Sequence, residues 1–252
     1  MAKSDHTVKS YDEELSSLHE DILRMGGIAE SQFASAMQAI AKRDPNIAAE
    51  IVRDDAKIDE LNHIVDQRVV RMLALRQPMA TDLREIVSSL KIAADIERIG
   101  DYSANIAKRA IAIAEMRPVR PITGISRMGV LVQRLIKDVV DAYNTRDAEK
   151  AMNVWARDEE VDDMYNSLFR ETLTYMMEDP RNITPCTHLL FVAKNIERIG
   201  DHATNVAETL YFVVHGTRIS ANRPKGDASS FLVMTPRDGA PLLNDELDRP
   251  KS

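Results

Sequence analysis

Carboxylates four residues apart recur along the chain: Asp55 with Asp59, Glu97 with Asp101, Asp158 with Asp162, and Glu197 with Asp201. On a helix, positions i and i+4 lie one turn apart on the same face. Asn105 and Asn205 extend two of these lines by another turn, giving Glu97–Asp101–Asn105 and Glu197–Asp201–Asn205. Like charges at this spacing repel by a few tenths of a kcal/mol. A surface that only needed charge would intersperse lysines. Carboxylates gathered from two neighbouring helices instead suit a hard cation, since oxygen ligands favour magnesium, manganese or iron. The expected cofactor is a divalent metal or iron (Mg, Mn, Fe or Zn) on surface carboxylate clusters. The Glu-x-x-His element of ferritin-like di-iron sites is absent, and there is no Cys/His cluster for structural zinc. His202, beside Asp201, offers a nitrogen ligand in one half only, while His19, His63 and His188 read as ordinary helix residues.

These acids must be positioned by helices. Ile47, Ile51, Ile58, Leu61, Val65 and Met72 recur at helical spacing, as do Ile92, Ile96, Ile99, Ile106 and Ile113. Each set makes one apolar stripe. At about 100° per residue the Glu97–Asp101 line falls nearly opposite the Ile96/Ile99 stripe, which predicts an outward, solvated acidic face. Asp55 and Asp59 flank Ile58, and Asp158 and Asp162 flank Val161. Arg98 and Arg198 stand next to the acids and can partly neutralise them. A solvated helix face without metal is therefore the competing reading of each pair taken alone.

Breaks between the helices are legible too. Asp44-Pro45 reads as an N-cap with proline at the first helical position. Gln77-Pro78 stops the next run, and Asp82 with Glu85 reads as a capping box opening another. Arg117-Pro118-Val119-Arg120-Pro121 reads as a linker, Asn144 to Asp147 as a turn ending in an N-cap, and Asp179-Pro180 with Pro185 as a further break. Residues 11–216 thus divide into six helical runs. Beyond them, residues 217–252 hold four of the ten prolines and no sustained period, which predicts a mobile tail interrupted by the apolar patch Phe231–Met234.

The chain repeats itself. Ile-Glu-Arg-Ile-Gly-Asp stands at 96–101 and again at 196–201, an offset of 100. Earlier in each half the offset is 103: Arg24-Met25-Gly26 matches Arg127-Met128-Gly129, Arg43-Asp44 matches Arg146-Asp147, and Asp55-x-x-Ile58-Asp59 matches Asp158-x-x-Val161-Asp162. Co-linear matches over three helices indicate duplication. The predicted fold is all-α: two tandem three-helix bundles, residues 11–117 and 122–216, followed by the tail. Gly100 and Gly200, inside these helices, signal either a close helix contact or room beside a metal site.

Composition narrows the function classes. The 252 residues carry 33 Lys+Arg against 40 Asp+Glu, a formal charge of −7, which disfavours nucleic-acid binding. The single cysteine, Cys186, excludes an internal disulfide and fits a reducing compartment. No apolar run approaches the roughly 20 residues of a membrane span, and no secretory signal opens the sequence, so the expected location is cytoplasmic. There is no Walker A motif, no Gly-rich phosphate loop, no Gly-x-Ser-x-Gly and no Cys/His nucleophile arrangement, so no enzymatic activity is expected.

With the four acid pairs and the duplication in place, the sequence resembles the PhoU family of phosphate-transport accessory and regulatory proteins over about residues 11–216. Asp55-x-x-x-Asp59, Glu97-x-x-x-Asp101, Asp158-x-x-x-Asp162 and Glu197-x-x-x-Asp201 match the family's duplicated acidic motif. Asp82-Leu83-Arg84 also resembles its pattern, whereas the second half departs there with Asn182-Ile183-Thr184. The resemblance implies a cytoplasmic homodimer that binds multinuclear metal on its carboxylate faces. It implies two partners, the ATPase subunit of the phosphate ABC transporter and the phosphate-sensing histidine kinase, with contact to the membrane only through them. The implied outcome is repression of the phosphate-starvation response when phosphate is plentiful. A carboxylate-bridged metalloenzyme and a metal-free helical scaffold are the alternatives.

Overall fold

The computed structural model describes residues 2–220, and these are helical throughout apart from short connections. The first repeat comprises α1 (Ala2–Lys42), α2 (Pro45–Asp54), α3 (Ala56–Arg76) and α4 (Ala80–Ile113). The second comprises α5 (Ile122–Thr145), α6 (Ala148–Ala156), α7 (Asp158–Glu178) and α8 (Ile183–His215), with a 3₁₀ turn at Pro180–Asn182. Residues 221–252, including the apolar patch at Phe231–Met234, lie outside the described residues. Among the described residues no helix is long and apolar enough to cross a membrane.

Two of the expected caps are present. Asp44 accepts from the Asn46 backbone N–H at 2.9 Å and Asp147 from that of Lys150 at 2.9 Å, each satisfying a donor that the helix start leaves open. Asp82 is different. The chain turns helical directly after Gln77-Pro78, so α4 starts at Ala80 and Asp82 lies within its first turn. Its carboxylate accepts from Tyr11 Oη at 3.2 Å instead of capping.

The middle run of each repeat is broken in two, so that among the described residues the six expected runs form eight α-helices. At Asp55 the ladder tightens to an i+3 bond, Ile58 N–H to Asp55 O at 3.1 Å, and at Arg157 the same occurs with Glu160 N–H to Arg157 O at 3.2 Å. Neither bend contains proline or glycine. Shortly after each bend, Ile58 of α3 meets Gly100 of α4 and Val161 of α7 meets Gly200 of α8.

One continuous core runs through both repeats, with Phe33, Ile58, Ile86, Ile92, Ile99, Ile106 and Ile125 fully buried. The repeats pack mainly through α4 against α8 and also through α1 against α5. The contacts obey an approximate two-fold relation. A Cβ on Gly26 of α1 would lie 2.9 Å from Val140 Cγ2 of α5, and a Cβ on Gly129 of α5 would run into Met37 of α1. Val140 is Met37 shifted by the repeat offset of 103, as Gly129 is Gly26. The same relation places Tyr102 of α4 beside its own counterpart, His202 of α8, with ring centroids 5.6 Å apart. Two glycines at mirrored crossings let the first helices of the two repeats meet closely.

Candidate metal centre

In the first repeat, Asp59 of α3 and Glu97 and Asp101 of α4 each bring a carboxylate oxygen within 4.8 Å of the other two. The bend at Asp55 and the glycine at 100 explain this convergence. A Cβ at Gly100 would stand 3.0 Å from Ile58 Cδ1 and 3.2 Å from Ile58 Cγ2, so α3 sits against the α4 backbone with no space for a side chain. Gly200 receives Val161 in the same way, at 3.3 Å. Of the two readings of these glycines, the close helix contact is the one observed.

The acids therefore do not form the outward solvated faces expected from the isoleucine stripes. α4 packs on α1, α2, α3 and α8, which leaves little of its circumference to solvent. Its acidic line lies against the start of α3, acids facing acids. Asp55, Glu97 and Asp101 are half-buried and Asp59 is exposed. In the second repeat the cluster is deeper: Asp158 is 2%, Asp162 4% and Glu197 6% exposed, with Asp201 half-buried.

Electrostatics in the first cluster are repulsive. The Glu97 carboxyl is pushed above its ordinary value by burial first, then by Asp101, with Asp59 and Asp55 adding and Arg98 opposing. Asp55 is raised by burial, then by Asp101 and Asp59, with Lys108 opposing. Among the described residues, Asp55 Oδ1 is buried with no hydrogen-bond partner, and so are Asn62 Oδ1 on α3 and Gln32 Oε1 on α1. Gln32 reaches the same place: its Oε1 would lie 3.1 Å from a Cβ at Gly100, and its Nε2 donates to Asp54 O at 3.5 Å. Buried oxygens without donors are costly unless something positive meets them. This donor set, all oxygen and net anionic, fits a hard dication. Arg98 holds Asp101 at 2.8 Å and Glu97 at 3.6 Å, but its side chain is 56% exposed and free to swing outward.

The second cluster holds a cation of the protein's own, although among the described residues Glu197 Oε2 is buried without a hydrogen bond. Lys194 Nζ lies 2.9 Å from Glu197 Oε1, and Thr204 Oγ1 lies 3.2 Å from Asp158 Oδ1 and 3.1 Å from Gly200 O, between which its proton is shared. Burial raises the Glu197 carboxyl, and Lys194 opposes that shift. His202 does not join this cluster as the sequence suggested. Its Nδ1 faces Asp95 Oδ1 of the first repeat at 2.8 Å, because α8 turns that flank toward α4. Asn205 also reaches across, donating to Asp95 Oδ1 at 3.3 Å. Asn105 lines an open groove between α4 and α8 with Lys108, Arg109, Phe191 and Asn195. Gln32 was not among the sequence candidates; its signal, a polar residue on the buried side of α1, is weak by itself.

Comparison with known proteins follows the same architecture. Residues 22–110 and 125–210 each match the PhoU domain. The chain belongs to the PhoU family. It is 54% identical over 228 residues to a phosphate-specific transport system accessory protein PhoU homolog of Caulobacter vibrioides, covering 90% of this chain and 99% of that one. A homolog of the same description from Rhizobium meliloti is 49% identical over 228 residues, covering 90% of this chain and 96% of that one. The crystal structure of PhoU from Pseudomonas aeruginosa superposes with a TM-score of 0.80 at 37% identity, over 82% of this chain and 100% of that one. That of the phosphate transport system regulatory protein PhoU from Streptococcus pneumoniae gives 0.78 at 28% identity, over 84% and 100%. The tandem PhoU domains correspond to the two packed repeats described above.

Proposed function

We propose that this PhoU-family protein is a non-enzymatic, metal-binding regulatory adaptor of phosphate homeostasis. In this reading it works in the cytoplasm as a homodimer, links the ATPase subunit of the phosphate ABC transporter to the phosphate-sensing histidine kinase, and represses the phosphate-starvation response when phosphate is plentiful. The observation that carries it is the convergence of Asp59, Glu97 and Asp101 in a chain of this family. Relatives described as phosphate-specific transport system accessory proteins support the transport link. Exposed Val70, Leu75 and Met79, on α3 and just before α4, supply apolar surface of the kind partners cover.

A bound dication supplies positive charge where the carboxylates repel one another. The residues do the rest. Asp59, Glu97 and Asp101 would hold the ion, Asp55 would present its buried oxygen from the bend, and Arg98 would release Asp101. Since these ligands come from α3 and α4, an ion held there would fix the position of α3, which carries the exposed Val70 and Leu75, against the enclosed α4. The test is genetic: deletion of the gene should raise transcription of phosphate-uptake genes in phosphate-rich medium, and the wild-type gene should restore repression. Unchanged transcription and uptake after deletion would refute the adaptor reading.

A further inference from the structure

Resting on the metal reading of the first cluster, we infer that the two repeats have diverged in their cation: the Lys194 ammonium fills the second cluster, leaving the first as the seat for a metal ion. The repeat offsets make the comparison residue by residue. Lys194 stands where the first repeat has Ala94, and Thr204 where it has Ala104. Tyr165 replaces Asn62, and Leu135 replaces Gln32.

Every one of these differences acts in the same direction. Lys194 brings a positive charge to Glu197 at 2.9 Å, and the ring of Tyr165 lies 4.9 Å below the same ammonium. Thr204 places a hydroxyl 3.2 Å from Asp158 Oδ1, its one proton shared between that carboxylate and Gly200 O at 3.1 Å. At the matching places in the first repeat, Ala94 and Ala104 offer neither charge nor donor. There, Asp55 Oδ1, Asn62 Oδ1 and Gln32 Oε1 are buried oxygens without a hydrogen bond. Two of those oxygens belong to residues that the second repeat has replaced by Tyr165 and Leu135. The second repeat has thus exchanged the Asn62 and Gln32 amides for an aromatic ring and an aliphatic side chain and gained an ammonium at Glu197; it keeps buried oxygens of its own, Glu197 Oε2 and the amide oxygen of Asn166, which stands where the first repeat has His63. Burial follows the same division, since carboxylates with an internal counter-charge can be enclosed and those awaiting an ion must keep a path to solvent. Asp162 is 4% exposed, whereas its counterpart Asp59 is exposed. Ion binding and its consequences are therefore confined to the first half of the molecule, with the second half serving as a constitutively closed copy.

The test is a reciprocal exchange on the full chain, read by equilibrium dialysis against Mn²⁺ with elemental analysis, and by circular dichroism for folding. Wild type should bind Mn²⁺, and Glu97→Ala with Asp101→Ala should abolish all of it. Ala94→Lys should reduce binding to background with helicity intact. Lys194→Ala should raise bound Mn²⁺ about twofold, and the added portion should survive Glu97→Ala/Asp101→Ala. If Lys194→Ala folds only when Mn²⁺ is present, the same conclusion stands, because the metal then replaces the lost ammonium. Wild-type Mn²⁺ that falls only by half on Glu97→Ala/Asp101→Ala, or Ala94→Lys binding as wild type, would overturn the inference while leaving the metal reading intact. No binding by either wild type or Lys194→Ala would overturn both.

Discussion

Replacing Gly100 by alanine probes the contact that brings the first cluster together. Two effects of known size oppose each other. Alanine in a helix interior is favoured over glycine by about 0.8–1 kcal/mol. Against this, the new Cβ would lie 3.0 Å from Ile58 Cδ1, 3.2 Å from Cγ2 and 3.1 Å from Gln32 Oε1. Ile58 is fully buried and has nowhere to retreat. Overpacking a filled core costs about 1–3 kcal/mol, so the net result is between neutral and about 2 kcal/mol of destabilisation. Gly27 provides the control: it is exposed on α1, and a Cβ there meets nothing within 4 Å. Gly27→Ala should gain the propensity term alone, raising Tm by about 2–4 °C for a chain of this size. Gly200→Ala, with Val161 at 3.3 Å, should fall between the two. Thermal and urea melts of the three variants should therefore rank Gly27→Ala above Gly200→Ala above Gly100→Ala, the extremes differing by about 1–3 kcal/mol. Gly100→Ala should also weaken Mn²⁺ binding, since α3 must shift away from α4. Equal stabilisation by Gly100→Ala and Gly27→Ala would show that the helices do not meet there, and the explanation of the cluster would fail.

Further expectations concern pH, capping and the tryptophan. Asp55 and Glu97 are raised in the folded chain, so they bind protons more tightly folded than unfolded, and stability should grow as pH falls from 7 toward the ordinary carboxylate range. His19 and His188, lowered chiefly by burial, act in the opposite sense below their ordinary value, so the informative quantity is a difference. Metal-free wild type should gain more, or lose less, in Tm between pH 7 and 5 than Asp55→Asn/Glu97→Gln, and identical pH profiles would contradict the repulsion described. Asp147→Ala removes the cap on the Lys150 N–H and should cost about 1 kcal/mol in a urea melt, while no loss would mean that the cap is dispensable. Trp155 closes α6 just before Asp158, its Nε1 donating to Glu208 at 2.9 Å. Its fluorescence should be unaffected by Mn²⁺ in wild type and quenched in Lys194→Ala, and quenching in wild type would place metal in the second cluster.

Much of the architecture is written plainly in the sequence. The isoleucine periodicity, the caps at Asp44 and Asp147 and the duplicated Ile-Glu-Arg-Ile-Gly-Asp segment lead to paired helical repeats, because each is a local signal. The bends at Asp55 and Arg157 left no such mark, since neither holds proline or glycine and tertiary packing imposes them. The direction of the acidic lines differs from the one the isoleucine stripes imply, for a related reason. A single helix read by itself has one apolar face and one free face, but α4 is surrounded by four other helices, so the acids meet neighbours instead of water. The distinction between the clusters was present as Ala94 against Lys194 and Asn62 against Tyr165. It acquires meaning only once those positions are seen around the carboxylates.

The most direct test of the central claim is an anomalous difference map from crystals grown with Mn²⁺, collected near the manganese absorption edge. The account predicts a peak among Asp59, Glu97 and Asp101 and none between Asp158, Asp162 and Glu197, where Lys194 remains in place. A map with no peak at the first cluster, or with peaks of equal height at both, would contradict it.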